Sequence, residues 1–200
     1  MRKFEGDRLV LASHNVGKLA ELRAMLAPLG VTVTPASDAG LEAPEETEAS
    51  FEGNAALKAR AACAATGLPA LADDSGLEVL ALGGQPGVHS ARWAGPDGDH
   101  APAIARVLAG LAGLEGQADR VARFVCVLAL AWPDGHVETA RGEAPGTIVD
   151  PRGSGGFGYD PIFLPEGGER TFAELSAEEK RADNHRARAM RAMMDGVFAR

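Results

Sequence analysis

The sequence lacks any run of apolar residues that could cross a membrane, which requires about 18 or more. It has only two cysteines, Cys63 and Cys126, in separate apolar segments without a CxxC spacing. This usage argues against a disulfide framework or a zinc site and fits a reducing compartment. The segment from Met1 to Asp7 is charged and has no apolar stretch typical of a signal peptide. We therefore expect a cytoplasmic protein without membrane contact.

Basic residues are scarce relative to acidic ones, because 20 Lys and Arg stand against 28 Asp and Glu. The net charge of −8 argues against a nucleic-acid partner, whose phosphate backbone requires a basic surface. No basic residue occurs between Arg23 and Lys58, and the acidic residues there are Asp38, Glu42, Glu45, Glu46, Glu48 and Glu52. The C-terminal segment collects Lys180, Arg181, His185, Arg186, Arg188 and Arg191. These runs are either solvated surface, or an acidic metal-binding wall and a basic wall across one cleft.

The chain of 200 residues, 46% of them hydrophobic, is long enough for a single domain over residues 1–200. Hydrophobic periodicity predicts strands at residues 8–12, 31–34, 69–72, 77–82, 121–132, 136–141 and 161–164. It predicts helices at residues 17–29, 50–66 and 102–111, and a last helix from about residue 176. Strands alternate with helices before a hairpin, so we expect an α/β protein with a mixed sheet. Two lobes would separate at residues 84–87 or 110–116.

The segment from Ser13 to Lys18 lies between the first predicted strand and the first predicted helix. Such a turn directs free backbone N–H groups and the positive end of the helix dipole toward one point. Asn15 can cap the helix, Gly17 permits the close approach of an anion, and Lys18 supplies a positive charge. These features favour a phosphate site. The alternative is an ordinary capped turn with a surface lysine.

Two adjacent carboxylates, Asp73 and Asp74, directly follow a short apolar strand and precede Ser75 and Gly76. They are costly to place there unless they bind a cation or join an ordered network. Such an oxygen-rich segment suits Mg²⁺, which keeps several waters and bridges to substrate phosphates. Successive side chains of an extended segment point to opposite faces, so only one carboxylate is expected to face a given site. The alternative is a solvated turn.

The glycine-rich segment from Gly153 to Asp160 matches GxGxxG, yet it is not a dinucleotide-binding fingerprint. That fingerprint follows a strand and opens a helix, whereas Pro151 precedes this segment and Pro161 follows it. We expect instead a flexible wall that presents Phe157 for stacking on a planar base. Burial of Phe157 in the core is the alternative.

Lys180, His185 and Arg186 place cationic and donor groups on the last predicted helix, where they suit phosphate or carbonyl recognition. In a regular helix, Lys180 and His185 would lie about 140° apart. They converge on one small group only if the helix starts late. The alternative is a solvated helix face.

Together these motifs resemble one family, the house-cleaning pyrophosphatases that hydrolyse inosine and xanthosine triphosphates. The resemblance extends from Leu9 to Met194 and rests on long motifs in a fixed order. They are SHNVGK at 13–18, EET at 45–47, SF at 50–51, NA at 54–55, ADDSGLEV at 72–79, GGQPGVHSARWAG at 83–95, GSGGFGYDPIF at 153–163, EEK at 178–180 and HR at 185–186.

The resemblance implies an elongated α/β fold with two lobes around a central cleft, a homodimer and dependence on Mg²⁺. It implies hydrolysis of ITP, dITP and XTP to the monophosphate and pyrophosphate. Asp74 matches the catalytic base and metal site, and Glu45 a metal ligand, with the two roles of Asp74 left open. The residues that match substrate contacts are Ser13, His14, Asn15, Val16, Gly17, Lys18, Ser75, Phe157, Gly158, Tyr159, Asp160, Lys180, His185 and Arg186.

Four positions depart from the pattern of that family. Gly53 stands where a Glu is usual, His14 where Gly is common, and His89 and Trp93 replace tyrosines. Two other functions are considered for the chain: a nucleotide-binding regulator without catalysis, and a phosphatase that releases phosphate one step at a time. The acidic pair argues against the regulator, because a binder gains little from it.

Overall fold

A computed structural model describes residues 1–95, 98–114 and 116–199. These residues form a mixed six-stranded β-sheet and five α-helices, which confirms the predicted α/β class. The strand order is β2-β1-β3-β4-β5-β6, with β1 parallel to β2 and to β3, and β5 antiparallel to β6. No helix in the described ranges combines the length and apolar character needed to cross a membrane.

The strands are β1 (Arg8–Ala12), β2 (Thr32–Pro35), β3 (Ala70–Val79), β4 (Val121–Ala131), β5 (Val137–Ile148) and β6 (Phe163–Pro165). The α-helices are α1 (Val16–Leu26), α2 (Phe51–Thr66), α3 (Ala101–Gly110), α4 (Ala177–Asp183) and α5 (His185–Gly196). Short 3-10 turns lie at residues 27–29, 80–82, 87–89, 117–120, 160–162 and 172–174.

The chain forms two compact units. The first contains Met1–Asp74, Cys126–Gly142 and Arg186–Arg200, and the second contains Ser75–Val125 and Glu143–His185. The segments at 84–87 and 110–116, where a lobe boundary was expected, both fall within the range of the second unit.

The core of the first unit forms between β1, α1, β4 and α5. Leu22 and Leu26 of α1 are fully buried, as the three-to-four spacing of its leucines predicts. They pack with Leu9 and Leu11 of β1 in one cluster, whose other buried members include Leu128, Leu130, Met190 and Met193. This packing fixes the start of α1 beside the end of β1.

The core of the second unit contains an aromatic cluster. The rings of Phe124 and Phe163 meet edge to face with centroids 4.7 Å apart, and Phe172 stacks on Phe124 at 5.8 Å. Val107 of α3 and Ile148 of β5 complete this core and are fully buried. The cluster supports the segment that follows β5.

The main differences from the predicted elements lie in β3, β5 and the last helix. The strand predicted at residues 136–141 extends to Ile148 as β5. The strands predicted at residues 69–72 and 77–82 are joined in one continuous strand, β3 (Ala70–Val79), because the acidic residues between them are paired and buried rather than in a solvated turn. Residues 80–82 form a 3-10 turn instead of extending the strand. The last predicted helix is two helices, separated at Asn184, whose ψ of 174° is extended. The angular spacing of a regular helix therefore does not relate Lys180 to His185.

Candidate active site

The turn between β1 and α1 forms a capped helix start in the first unit. Asn15 Oδ1 accepts a hydrogen bond from Lys18 N at 3.0 Å, and Ser13 Oγ accepts one from Asn15 N at 3.3 Å. The side chain of Lys18 is 17% exposed and its Nζ lies 3.1 Å from Asp73 Oδ2. Lys18 is therefore held by a buried carboxylate, unlike a solvated surface lysine. Val16 and His14 are exposed on the same turn.

Asp73 and Asp74 of β3 are 2% and 5% exposed, so the solvated-turn interpretation is wrong. Burial disfavours the Asp73 carboxylate, but the cations around it, led by Lys18 and Arg186, hold its pKa far below its usual range. Burial raises the pKa of Asp74, and the attraction of Lys58 and Lys18 only partly opposes this rise. The pair thus contains one firmly ionised carboxylate and one with increased proton affinity.

Lys58 of α2 connects Asp74 to the acidic loop, the segment between β2 and α2 that contains Glu45 and Glu46. Its Nζ donates to Asp74 Oδ1 at 2.9 Å and to Glu46 Oε1 at 2.8 Å. Burial would lower the pKa of Lys58, but the carboxylates, led by Asp74, raise it. Glu45, the expected metal ligand, is exposed, and its neighbour Glu46 is the residue that lies with Asp74 around one ammonium. Lys58 was not predicted as a site residue, although it is the first basic residue after the acidic stretch.

The surroundings of Asp74 fit a divalent cation. Its Oδ2 is buried and has no hydrogen-bond partner among the residues that the structure describes. Within the same ranges, no three acidic, His or Cys side chains converge closely enough to form a complete protein cage. Mg²⁺ does not require one, because it commonly binds through one or two carboxylates, waters and substrate phosphates. Asp74, with Glu46 nearby, supplies that smaller set.

Arg186, at the start of α5, is 1% exposed and binds two carboxylates of the first unit. Its Nη1 donates to Glu21 Oε2 at 2.5 Å, and its Nη2 donates to Asp73 Oδ2 at 3.3 Å. Burial by itself would lower the pKa of Arg186, but the carboxylates around it outweigh this effect and raise the pKa above its usual value. Arg186, which the resemblance predicted as a nucleotide contact, thus binds Glu21 and Asp73.

The glycine-rich segment of the second unit is fixed by Asp160. Asp160 Oδ2 accepts hydrogen bonds from Phe157 N at 2.8 Å and from Lys180 Nζ at 2.5 Å. The Lys180 ammonium also lies 4.4 Å from the ring centroid of Phe157. Gly156 is required there, because its φ is +70° and a Cβ would lie 2.0 Å from Asp160 Oδ2. Lys180 is buried, so it does not belong to a solvated helix face.

The other predicted contacts in the second unit are buried or half-buried. Tyr159 is buried, and its hydroxyl donates to Ser90 O at 2.8 Å, while burial raises its pKa. His185 is buried and stacks on Phe124 with ring centroids 4.8 Å apart. Phe157 and Ser75 are half-buried. The alternative interpretation, in which Phe157 is buried in the core, is therefore wrong.

Comparison with known proteins identifies the family. The profile of the Ham1 family matches residues 9–196. The chain belongs to the Ham1 family. A dITP/XTP pyrophosphatase of Rhodospirillum centenum is 56% identical, covering 99% of this chain and 98% of the relative, and one of Gluconobacter oxydans is 53% identical, covering 98% and 93%. The Ham1 protein structure from Coxiella burnetii has a TM-score of 0.86 at 42% identity, covering 94% of this chain and 96% of that one.

Three departures of this Ham1 chain have local structural explanations. A Cβ at Gly53 would lie 2.6 Å from the Cβ of Glu48, whose backbone exchanges two hydrogen bonds with the Asn54 amide. Trp93 lies under the guanidinium of Arg106, which is 3.7 Å from its ring centroid. His14 Nε2 lies 2.7 Å from Leu41 O, so this side chain contacts the acidic loop.

Proposed function

We propose that this protein hydrolyses non-standard purine nucleoside triphosphates, namely ITP, dITP and XTP, to the monophosphate and pyrophosphate with Mg²⁺. The observation that carries the proposal is the cluster of Asp73, Asp74, Lys18 and Lys58 beside the capped start of α1. It combines a helix start suited to an anion with a carboxylate whose buried Oδ2 has no hydrogen-bond partner in the described part of the chain. The names of the relatives, dITP/XTP pyrophosphatases, agree with it.

The residues of the first unit orient the triphosphate and the water. Lys18 and the N–H groups at the start of α1 hold the phosphate oxygens. A water oxygen bonds to the α-phosphorus, the bridging bond to the β-phosphate breaks, and pyrophosphate leaves. The bound metal ion would neutralise triphosphate oxygens and the charge of the leaving group, with Asp74 and Glu46 as its protein ligands. As a base, Asp74 would take the proton of the water, for which its increased proton affinity is suited.

Recognition of the base is assigned to the segment from Phe157 to Asp160 in the second unit. Phe157 offers a half-buried ring for stacking, and the Asp160–Lys180 pair keeps its backbone in place. Hypoxanthine and xanthine carry a 6-oxo acceptor where adenine carries a 6-amino donor. Donors directed at that position would be left unpaired by adenine, at about 1–3 kcal/mol per group. Arg186 is a weaker candidate for this donor than the sequence indicated, because both of its Nη atoms bind carboxylates.

The decisive experiment counts the products formed from ITP in the presence of Mg²⁺. Release of one pyrophosphate per IMP supports the proposal. Stepwise release of phosphate would identify a phosphatase, and binding without turnover would identify a regulator. Comparing kcat/KM for ITP, XTP, GTP and ATP then tests base choice, with ITP and XTP expected far above GTP, and GTP at or above ATP. Comparable efficiency on ATP and ITP would contradict the recognition model.

The assembly state completes the proposal. The family resemblance implies a homodimer that binds a small nucleotide, and the net charge of −8 argues against a nucleic-acid partner. Analytical ultracentrifugation should give a mass near twice the chain mass of 20.7 kDa. A single species at the chain mass would contradict it.

A further inference from the structure

Four side chains of the first unit form a series of ion pairs with alternating charges, from Lys18 through Asp73 and Arg186 to Glu21. Lys18 and Glu21 both belong to α1 and are three residues apart, which places them on one face of the helix. Glu21 Oε2 accepts from Arg186 Nη1 at 2.5 Å, Arg186 Nη2 donates to Asp73 Oδ2 at 3.3 Å, and the same oxygen lies 3.1 Å from Lys18 Nζ. The series of ion pairs thus begins and ends on α1, the helix whose first turn is the proposed phosphate site.

Because its side chains are buried, the ion pairs of this series are energetically coupled to one another. The side chains of Arg186 and Asp73 are each 1% exposed, and that of Glu21 is 14% exposed. Charges removed from water to this degree depend on their partners, since removing one partner leaves another charge uncompensated. Asp73 Oδ2 is shared between Arg186 and Lys18. A change in the strength of the Arg186–Asp73 ion pair therefore changes the position and strength of the Lys18–Asp73 ion pair.

We propose that Glu21 is a positioning residue of the active site, which acts through Arg186 and Asp73 to fix the ammonium of Lys18. This inference rests on the proposed function for the identity of the substrate. Glu21 carries the same charge sign as a triphosphate and would repel it, so direct substrate binding does not explain its place. Glu21 accepts a hydrogen bond from Nη1 of Arg186, while Nη2 donates to Asp73 Oδ2, the oxygen that also lies beside Lys18 Nζ.

The same arrangement assigns a task to Arg186. Its guanidinium connects two carboxylates behind the phosphate site, so its removal is expected to weaken triphosphate binding for every base alike. A residue that read the 6-oxo group would instead affect ITP and ATP differently. Arg186→Ala measured against both nucleotides therefore separates the two tasks, and a loss confined to ITP would contradict positioning.

The main test is the substitution Glu21→Gln, which keeps the shape and removes the charge. We expect KM for ITP to rise about tenfold, the size of one charge-assisted hydrogen bond, while kcat changes less than about threefold. The dissociation constant of inorganic tripolyphosphate with Mg²⁺, measured by calorimetry, should rise by a similar factor. The matched control is Asp134→Asn, which removes an exposed carboxylate paired with Arg2 in the same unit and should change neither quantity.

A second measurement excludes a merely structural effect. Introduced into Lys18→Ala, the Glu21→Gln change should alter kcat/KM less than about twofold, because its pathway is already broken. If circular dichroism shows that Glu21→Gln does not fold, Glu21→Asp is measured instead. It keeps the charge on a shorter side chain and should raise KM by less than the tenfold expected for Glu21→Gln. An unchanged KM and tripolyphosphate affinity, or an equal loss with and without Lys18, would overturn the inference.

The tripolyphosphate measurement separates this inference from the proposed function. If the wild-type protein releases no pyrophosphate from ITP, yet binds tripolyphosphate in a Glu21-dependent way, the proposed reaction fails and the positioning role stands. If it releases pyrophosphate and Glu21→Gln has no effect, the reaction stands and the positioning role fails. Absence of tripolyphosphate binding to the wild-type protein would overturn the positioning role as well.

Discussion

Asp73 and Asp74 are neighbours in β3, yet their carboxylates have different partners and opposite pKa shifts. The difference follows from the strand, because successive side chains leave an extended backbone on opposite sides. Asp73 is directed to Lys18 and Arg186, which keep it ionised, whereas Asp74 is directed to Lys58 and retains a buried oxygen without a hydrogen-bond partner in the described residues. Two adjacent aspartates thus differ in their partners and in their affinity for a proton.

The first residue-scale prediction concerns Asp74. Asp74→Asn is nearly isosteric and removes the charge that a base or a metal ligand requires, so kcat should fall by at least ~10²-fold. Steady-state release of pyrophosphate from ITP at saturating Mg²⁺ measures this loss. Thermal unfolding of the same variant checks that the fold is retained. Near-normal turnover by the folded variant would show that Asp74 is assigned wrongly.

The second residue-scale prediction concerns Lys18. Lys18→Ala should raise KM for triphosphates, and it should also destabilise the fold by about 1–3 kcal/mol, because the buried Asp73 loses a charged partner. A surface lysine, the alternative that the sequence left open, would have little effect on stability. Urea denaturation at pH 7 measures the change in the free energy of unfolding.

The stability cost of Lys18→Ala should depend on pH in a defined direction. The pKa of Asp73 is lowered in the folded protein, so its contribution is fully present above the unfolded-state pKa near ~3.9 and is lost as pH falls below it. The difference between wild type and variant should therefore be constant from pH 7 to about 5 and shrink below about 4. A difference that grows in acid would contradict the role of the ion pair.

At the scale of elements, the sequence predicted most helices and strands to within a few residues. Leu19, Leu22 and Leu26 define the face of α1, and the long apolar run from Val121 defines β4. Apolar periodicity carries no information about buried charges, so Asp73 and Asp74 interrupted the prediction of β3. Nor could it show the break at Asn184, because the sequence on both sides favours a helix.

The candidate site was predictable to the extent that it lies in contiguous motifs. The turn from Ser13 to Lys18 and the Asp73–Asp74 pair were found because each combines several suggestive residues in one stretch. Lys58 and Glu21 were missed, because each stands alone within a helix and acquires its partners only through folding. The choice of Glu45 over Glu46 failed to anticipate the observed pairing for the same reason, since both occupy one flexible-looking acidic loop in the sequence.

An element-scale prediction concerns the pairing of β5 with β6. A Cβ at Gly146 would lie 2.4 Å from Leu164 O and 2.6 Å from a ring carbon of Phe163, and backbone cannot move aside cheaply. Gly146→Ala should lower the free energy of unfolding by about 1–3 kcal/mol. The control is Gly95→Ala, where the nearest atom is Asp99 O at 4.0 Å, with an expected change within about 0.5 kcal/mol. Equal effects in urea denaturation would contradict the close contact.

At the scale of the whole molecule, the net charge of −8 opposes the binding of an anionic substrate. In the first unit Lys18, Lys58 and Arg186 lie against buried carboxylates, which compensate most of their positive charge. A divalent cation delivered with the nucleotide would reduce the remaining repulsion. Triphosphate affinity should therefore depend on Mg²⁺ more strongly than on ionic strength.

The prediction at this scale is ligand-linked stability. A non-hydrolysable ITP analogue at 100 times its dissociation constant, with Mg²⁺, should stabilise the fold by ~2.7 kcal/mol. For a chain of this length, that corresponds to a rise in Tm of roughly 5–11 °C, measurable by differential scanning fluorimetry. Asp74→Asn should lose the part of the rise that depends on Mg²⁺. An equal rise with a chelator present would show that the cation is dispensable.

Asp73 and Asp74 are adjacent on β3 but have different partners. The number of residues in β3 before this pair is therefore more constrained than the identity of each residue. Parallel pairing with β1 aligns Ala70, Leu71 and Ala72 with Val10, Leu11 and Ala12, immediately before the pair. A one-residue insertion after Ala72 would exchange the sides of Asp73 and Asp74 and present each to the other's partners. Substitutions can be tolerated one at a time along such a strand, whereas a codon gained or lost here would rewire both sets of ion pairs at once.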